Sequence, residues 1–436
     1  MESMRWVLRV GVAGAVVLVL MVGLMMIRAL VSERAGYRDQ AVARVAASRA
    51  GEQVVTGPLR VVPYVELRPI RDADPGQEPY RRVTGVELQM PLQLQAAGQL
   101  QPERRRVGQF DVSVYRLRGK LEARFAACHP PRVAGRSYGE PFLMLGLSDV
   151  RGLIGSPALQ VDGRAVLLKA GSGALQDVLP GVHVPLSLDA DGGLPASRLG
   201  LELVLDGTRS LGLVPVADDT RLALQSSWPS PSFGGAFSPL ERSVSDQGFQ
   251  AQWAVSSLAT QAQSQLRHRL GGQGGAVERI ELSLIDPVDV YTLAERATKY
   301  GVLFIVLTFV GFGIYDLVRG LGIHPVQYLL VGLALTLFFL LLLGLTEKLP
   351  FWLAYLLAST GCIGLQAWYL AGVLGSGRRA LGLAATLTVL YGALYGLLVS
   401  EGNALLLGSL LLFAVLAAVM GLTRRLDWRH LGQDGG

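Results

Sequence analysis

The stretch Pro325–Leu345, PVQYLLVGLALTLFFLLLLGL, decides the fold class of this 436-residue chain. It contains no charged residue, and its polar positions do not recur about every 3 to 4 residues, as they do in a helix on the surface of a soluble domain. Its length matches the roughly 20 residues that a helix needs to cross the hydrocarbon core of a bilayer. The stretch is therefore predicted to be a transmembrane helix.

Four further apolar runs of similar length lie beside this one in the last third of the chain. Charged residues fall in the connections between the runs and not inside them. One buried core helix cannot explain several such runs in succession, so this region is predicted to form a membrane bundle. The five runs are Tyr300–Tyr315, Pro325–Leu345, Phe351–Leu374, Ala380–Val399 and Ala404–Leu422.

Arginines occupy alternate connections of the predicted bundle. Arg319 follows the first run, Arg378 and Arg379 follow the third, and further arginines follow the fifth. Short loops rich in Lys and Arg remain on the cytoplasmic side of a membrane. These connections and the C-terminal tail are thus predicted to be cytoplasmic, and the segment that precedes Tyr300 is predicted to be extracytoplasmic.

A sixth apolar run, Val7–Ile27, lies near the N-terminus. It is longer than the apolar core of about 7–15 residues found in secretory signals, and no small-x-small cleavage site precedes Arg28. We predict an uncleaved anchor with a cytoplasmic N-terminus. Arginines after the run outnumber those before it, which would favour the opposite orientation. Long domains, however, translocate largely regardless of flanking charge. We therefore base the orientation on the arginine-bearing loops downstream, which require an even total number of membrane helices.

The predicted fold class is a membrane protein with an all-α transmembrane bundle of six helices, one N-terminal and five C-terminal. A large β-rich periplasmic domain is inserted between helices 1 and 2. The predicted divisions are an anchor at residues 1–28, the periplasmic domain at 29–299 with helical membrane-proximal ends, the five-helix bundle at 300–422, and a cytoplasmic tail at 423–436.

The region between the anchors changes character near Val54. Before it, Ala29–Ala50 is rich in Ala, Arg and Gln and is predicted to be a helix rising off the membrane. After it, short alternating stretches broken by Gly, Pro and Asp are typical of antiparallel strands with tight turns. Pro75–Pro79 and Asp189–Gly193 are predicted loop tips. The predicted strands are Leu59–Leu67, Val107–Leu117, Lys120–Phe125, Val182–Leu188, Leu199–Leu205, Arg221–Gln225 and Ile280–Leu284.

The stretch Trp228–Pro239, WPSPSFGGAFSP, combines three prolines with two glycines and three aromatic rings. Such a composition is predicted to exclude a regular helix or strand. Two hypotheses follow: a structural loop that seals the end of a β-sandwich, which we favour, or a contact surface for a ligand, lipid or protein. The candidate interaction residues are Trp228, Pro229, Pro231, Phe233, Phe237 and Pro239.

The segment that enters the first run of the bundle has the spacing of a capping box at Thr292 and Glu295. A helix that starts there is predicted to continue through Arg296 and Lys299 into Tyr300. Glu295, Arg296, Lys299 and Tyr300 are therefore candidate residues for coupling the outer domain to the membrane. The alternative is that they anchor the helix at the lipid interface.

The sequence offers no recognisable catalytic or metal-binding motif. Cys128 and Cys362 lie in different predicted domains, the five histidines are scattered, and no nucleophile elbow or phosphate-binding loop is present. The net charge of +6 is spread along the chain and forms no basic stripe, which argues against nucleic acid. We predict no enzyme activity and no cofactor. The expected partners are the lipid bilayer and an envelope protein or lipid, and the oligomeric state stays open.

Six stretches of the sequence together match the motifs of one protein family: TGPLRVVPYVE (Thr56–Glu66), LMLGLSDVRGLIG (Leu143–Gly155), the run Asp206–Pro239, LIDPVDVY (Leu284–Tyr291), the run from Ala294 to Ser359, and Ser400–Trp428. They resemble the CreD family of bacterial inner-membrane proteins, also called cell-envelope-integrity proteins. The resemblance implies an inner-membrane location and a role in envelope integrity, with loss or overproduction changing tolerance to colicins or cell-wall stress. It also implies expression under a two-component system.

The functional hypothesis is a non-catalytic scaffold or sensor that supports the envelope. The alternative is a transporter or lipid-handling membrane protein whose periplasmic domain binds a hydrophobic ligand. Transporters usually carry ionisable residues within their membrane helices, whereas the charges of this chain fall between the runs. Buried carboxylates or a continuous polar path through the bundle would favour the alternative.

Overall fold

A computed structural model of the chain describes residues 2–69, 80–108, 110–284, 290–319, 324–374, 377–400 and 403–423. The fold contains two compact units. One comprises residues 39–287, here called the β-rich unit, and the other comprises residues 1–38 and 288–436, here called the helical unit.

Apart from a few residues in the connections, the described part of the helical unit is helical, and each predicted apolar run lies within one helix. Among the residues that the structure describes, three helices are long and apolar enough to cross a membrane: Gly14–Ser48, Val326–Thr346 and Phe351–Gly372. Shorter apolar helices lie at Ala384–Val399 and Leu405–Gly421. The complete helices are α1 (Glu2–Ser48), α3 (Val290–Arg319), α4 (Pro325–Thr346), α5 (Phe351–Leu374), α6 (Gly377–Val399) and α7 (Ala404–Thr423); α2 (Ala262–His268) belongs to the β-rich unit.

Small residues and aromatic rings pack the helical unit. Gly332 of α4 lies against Leu20 of α1, and an added side chain would displace this leucine. Phe338 contacts Tyr355 and Tyr391 edge to face, with ring centroids 5.3 and 4.8 Å apart. Close helix–helix approach through glycine is a common way to associate helices in lipid.

The described residues of the β-rich unit contain seventeen strands in two sheets. Nine form sheet A: β1 (Gln53–Pro69), β2 (Tyr80–Gln89), β5 (Arg136–Tyr138), β6 (Phe142–Leu147), β9 (Lys169–Ala170), β10 (Gly181–Pro185), β12 (Ser210–Val214), β14 (Ser232–Gly235) and β17 (Ile280–Ser283). Eight form sheet B: β3 (Gln93–Val107), β4 (Phe110–Phe125), β7 (Leu153–Val161), β8 (Arg164–Val166), β11 (Ser197–Thr208), β13 (Asp219–Ser226), β15 (Glu241–Ser245) and β16 (Gly248–Ser256).

The two sheets share one apolar core. Leu145 and Leu213 of sheet A are buried in the same cluster as Leu117, Leu203 and Trp253 of sheet B. In β13 and β16, alternate positions point into this core, as the alternating sequence pattern predicts. The β-rich character of the region is confirmed.

The predicted pairing of the strands was partly wrong. Most pairs are antiparallel, but β1 pairs with β12 and β3 pairs with β13 in parallel. The stretch predicted as two strands around Gly119 is one strand, β4. Gly119 pairs with Gly98 of β3, where a Cβ atom would overlap the Leu117 side chain. Gly119 therefore lies within a strand and does not end it. The predicted turn at Asp189–Gly193 is confirmed, whereas Pro75–Pro79 lies outside the described residues.

Candidate functional site at the end of the first helix

Trp228, the first residue of the predicted interaction loop, is only 5% exposed and belongs to the core between the sheets. Its indole Nε1 donates a hydrogen bond to the Ser230 carbonyl oxygen at 3.0 Å. The ring therefore lies inside the β-rich unit and not on its surface. Among the other predicted residues, Pro229 is exposed and Pro231 and Pro239 are half-buried.

The two phenylalanines of the loop also pack inward. Phe233 is half-buried and contacts Phe249 and Trp253 edge to face, with centroids 5.7 Å apart in each pair. Phe237 packs against the same core, and its carbonyl oxygen accepts a hydrogen bond from the Trp253 indole at 3.2 Å. These contacts fit the structural hypothesis; the contact-surface hypothesis stays a prediction.

The expectation that this stretch forms no regular structure was wrong for its centre. Residues Ser232–Gly235 form β14, which pairs with β17 at the edge of sheet A. The prolines of the stretch, at positions 229, 231 and 239, lie outside the four paired residues. No proline therefore removes a backbone N–H donor from the hydrogen bonds between β14 and β17. The composition of the whole stretch therefore did not predict the short edge strand at its centre.

The second group of predicted residues lies on α3, as expected. Glu295 and Lys299 form an ion pair one turn apart, with the ammonium nitrogen 3.0 Å from a carboxylate oxygen, and Arg296 and Tyr300 are half-buried. The predicted capping box is wrong, because the helix already includes Val290 and Tyr291, which places Thr292 inside it. Residues 285–289 lie outside the described chain, so a continuous connection to the β-rich unit stays a prediction.

A different set of residues, not predicted from the sequence, holds the C-terminal end of α1. Arg151 donates from Nη1 to the Ala47 carbonyl oxygen at 2.8 Å and from Nη2 to that of Ala46 at 3.4 Å. Carbonyl groups in the last turn of a helix have no partner within the helix, and a cation there also complements the helix dipole. Arg151 thus caps a helix that lies about 100 residues earlier in the sequence.

Asp149 fixes the position of this arginine. Its carboxylate accepts two hydrogen bonds from the Arg151 guanidinium, at 2.9 and 2.7 Å, and a third from the backbone N–H of Gly51 at 3.0 Å. The bonds from Arg151 lower the pKa of the Asp149 carboxyl below its ordinary value, and the bond from Gly51 adds to the shift. Asp149 therefore connects the cap to the first residues after α1.

Asp206 of β11 forms the other side of the junction. Its carboxylate accepts from Arg116 of β4 at 2.8 and 3.2 Å and from Arg49, the residue after α1, at 3.1 Å. Asp206 is only 8% exposed, and two guanidinium groups compensate the negative charge of its carboxylate. The neighbouring hydroxyl of Thr208 donates to the Ala50 carbonyl oxygen at 2.7 Å.

Gln53, fully buried at the start of β1, connects the two sides. Its Nε2 donates to the carbonyl oxygens of Asp149 at 2.8 Å and Asp206 at 3.2 Å. Gly152 leaves the space for this amide, since a Cβ atom at Gly152 would overlap both Gln53 Nε2 and the Asp206 carbonyl oxygen. We call Arg49, Gln53, Arg116, Asp149, Arg151 and Asp206 the helix clamp.

An apolar contact supports the clamp. Val42 and Val45 of α1 are buried against Val112 and Val114 of β4. Asp39 of α1 also forms an ion pair with Arg209, with 3.1 Å between a guanidinium nitrogen and a carboxylate oxygen. The last two to three turns of α1 are thus fixed to the β-rich unit by packing, by ion pairs and by a capped end.

A buried arginine lies away from the clamp. Arg60 of β1 donates to the Pro195 carbonyl oxygen at 2.7 Å and to the Ser197 hydroxyl at 2.6 Å, and its guanidinium carbon lies 4.8 Å from the centre of the Phe125 ring. Burial lowers its pKa from the ordinary value. Its partners are neutral acceptors, which is the arrangement of a structural arginine. No group of three or more potential metal ligands occurs among the described residues.

The structural role of the clamp residues cannot be inferred from the local sequence pattern around them. Asp149, Arg151 and Gly152 belong to the motif LMLGLSDVRGLIG, and Asp206 begins the motif DGTR. The sequence Asp-x-Arg-Gly at residues 149–152 follows the buried strand β6, but nothing in it indicates that its arginine caps a helix or which helix that is.

Comparisons with known proteins agree on one family. A family model described as inner membrane protein CreD matches residues 5–429. The inner membrane protein CreD of Escherichia coli strain K12 is 34% identical over 419 residues, which cover 94% of this chain and 91% of that protein. The match includes α1, both sheets and the C-terminal helices. The chain therefore belongs to the CreD family of inner membrane proteins.

Proposed function

We propose that the protein is a non-catalytic scaffold or sensor that supports the integrity of the cell envelope and the tolerance to cell-wall stress and colicins. In this proposal six helices cross the inner membrane, the β-rich unit lies in the periplasm, and both termini lie in the cytoplasm. Expression under a two-component system that responds to the cell wall would fit this role. The observation on which this proposal mainly rests is the helix clamp.

The clamp supports a coupling role because it joins a membrane-type helix to a sheet without a flexible linker. α1 is one uninterrupted helix from Glu2 to Ser48, and only the short segment 49–52 separates it from β1. Arg49 and Gly51 in this segment are both hydrogen-bonded to clamp carboxylates. A displacement of the sheets at this point is therefore expected to move the end of α1 with them.

The buried polar groups of the helical unit support a scaffold more than a transporter. The hydroxyls of Thr308, Thr336 and Ser359 donate to carbonyl oxygens three or four residues earlier in their own helices. They are satisfied without a substrate. Gln366 of α5 differs, since its amide is buried and has no hydrogen-bond partner in the described part of the chain.

The proposal predicts that Arg151→Met removes protection of the cell envelope. In cells that lack the chromosomal copy, the variant should accumulate in the membrane at the parental level but fail to restore tolerance to detergent and to cell-wall antibiotics. Methionine keeps the aliphatic stem and removes the donors to Ala46 and Ala47.

Arg105→Met is the matched control for this experiment. Arg105 pairs with Glu103 two residues earlier at 3.1 Å, as Arg151 pairs with Asp149, but it caps no helix. This control should restore tolerance fully. Full tolerance with Arg151→Met would show that the capped end of α1 is not needed and would contradict the coupling role.

The proposed orientation is tested by single cysteines in a variant without Cys128 and Cys362. Cysteines at Asp189 and Ser400 should react with a membrane-impermeant thiol reagent in cells whose outer membrane has been permeabilised, because both lie on the periplasmic side in this proposal. Cysteines at Ser376 and Asp434 should react only after the inner membrane is opened. Labelling at Ser376 but not at Ser400 would reverse the orientation.

A further inference from the structure

The outer face of sheet B, which points away from the core, bears a groove that the proposed function does not use. The groove has a volume of about 720 Å³ and crosses β16, β13, β3, β4, β11 and β7. Because neighbouring strands lie about 4.8 Å apart, residues in register across the strands form straight rows perpendicular to them. The register of sheet B defines two such rows.

The first row is a series of amides that ends in a guanidinium. Gln250 of β16 pairs with Gln225 of β13, Gln225 pairs with Gln99 of β3, and Gln99 pairs with Arg118 of β4. All four side chains are exposed. Among the described residues, none of them has a hydrogen bond or ion pair to another protein side chain, so their donors and acceptors are available to a ligand.

The second row has short side chains at its centre and forms the floor of the groove. Gln252 of β16 pairs with Ala223, Ala223 pairs with Ala97, and Ala97 pairs with Lys120. The methyl groups of the two alanines lie between the taller amides of the first row and the polar side chains on the other side. A linear molecule can therefore lie across the strands, flanked by amides.

The charge of this face favours an anion. The groove and an adjoining hollow of about 550 Å³ are lined by Arg118, Lys120, Arg124 and Arg198 and by two carboxylates, Glu122 and Glu202. Lys120 is paired with Glu122 at 2.9 Å. Among the described residues, the guanidinium groups of Arg118, Arg124 and Arg198 form no ion pair with a carboxylate, so positive charge remains.

We propose that this groove binds a linear polysaccharide that carries acidic groups. A glutamine amide offers both a donor and an acceptor, as a sugar hydroxyl does, and the arginines can bind carboxylates. The strand-to-strand spacing is close to the length of one pyranose residue in an extended chain, so successive amides can meet successive sugars. The inference goes beyond the envelope role, and it stands whether or not the helix clamp transmits movement.

An extended peptide fits this face less well. Peptides that bind sheets usually add a strand at an edge, where the backbone N–H and C=O groups are free. The strands under the groove lie inside sheet B and are paired on both sides, so the face offers only side chains. A chain of hydroxyls and carboxylates matches such a surface better than a peptide backbone does.

The experiment measures binding of defined oligomers to the purified full-length protein in detergent micelles by calorimetry. The probes are a hexamer of galacturonic acid, the neutral hexamer of glucose, and an acidic glutamate peptide of the same charge. The acidic sugar should bind, and its affinity should fall as salt rises. The neutral sugar and the peptide should bind at least about tenfold more weakly.

The triple variant Gln99→Ala, Gln225→Ala and Gln250→Ala should weaken binding of the acidic hexamer by about tenfold or more, since several hydrogen bonds are lost. The matched control replaces three exposed glutamines off this face, Gln40, Gln247 and Gln273, by alanine and should bind as the parent does. Both variants should melt at the parental temperature. No binding of the acidic hexamer, equal loss in the control, or equal binding of the glutamate peptide would overturn the proposal.

Discussion

Replacing Trp228 by alanine is expected to lower the free energy of unfolding of the β-rich unit by about 3–5 kcal/mol, the usual effect of removing a buried tryptophan. The indole is buried in the shared core, and its Nε1 hydrogen bond to Ser230 fixes the start of the loop. The change removes both interactions. Denaturant unfolding of the full-length protein, followed by the circular dichroism of the sheets, measures the effect.

Pro229→Ala provides the control from the same loop, because Pro229 is exposed. Its free energy of unfolding should differ from that of the parent by less than about 0.5 kcal/mol. The result that would contradict this prediction is a Trp228→Ala protein that has parental stability but no longer protects cells. That result would make the loop a contact surface and would revive the second hypothesis for Trp228–Pro239.

Gly152→Ala is expected to open the helix clamp. The new methyl group would overlap the Asp206 carbonyl oxygen and Gln53 Nε2, so the backbone of β11 or the Gln53 amide must move. Overpacking typically destabilises by about 1–3 kcal/mol, and a buried amide deprived of its acceptors adds a further loss of about 1–3 kcal/mol. The same unfolding measurement should therefore show a large decrease.

The matched control is Gly200→Ala on β11, the strand that carries Asp206. A Cβ atom at Gly200 meets no atom within 4 Å, so its stability should be close to parental or slightly higher. Hydrogen exchange gives an independent reading: amides in the last turn of α1 should exchange faster in the Gly152 variant only. Unchanged exchange in that turn would mean that the clamp does not hold the helix.

The two destabilising changes separate two roles within the same unit. Trp228 stabilises the core between the sheets, whereas Gly152 permits the contact between α1 and the sheets. If Gly152→Ala abolishes protection of cells at a temperature where the sheets remain folded, the coupling through the clamp is what the cell requires. If protection is lost only when the sheets unfold, stability alone explains the phenotype.

Local composition was enough to predict the helices and the strand-rich region. Each apolar run lies within one helix because a segment with no polar face can be stable only as a helix in lipid, and this is a property of about 20 neighbouring residues. Pro325, the first residue of the predicted run, is also the first residue of α4. There His324 accepts from the Val326 N–H at 3.4 Å and the Gln327 side chain accepts from the His324 N–H at 3.0 Å. The family, too, was recognisable from short stretches.

The tertiary structure alone decided which distant residues meet. The parallel pairs β1–β12 and β3–β13 join strands more than 100 residues apart, and alternation of side chains looks the same in parallel and antiparallel strands. The loop at Trp228–Pro239 shows the same limit, because proline and glycine content describes backbone freedom and not the burial of a ring. The clamp is the strongest case: Arg151 and the carbonyl groups that it caps are brought together only by the register of two sheets, which no local pattern encodes.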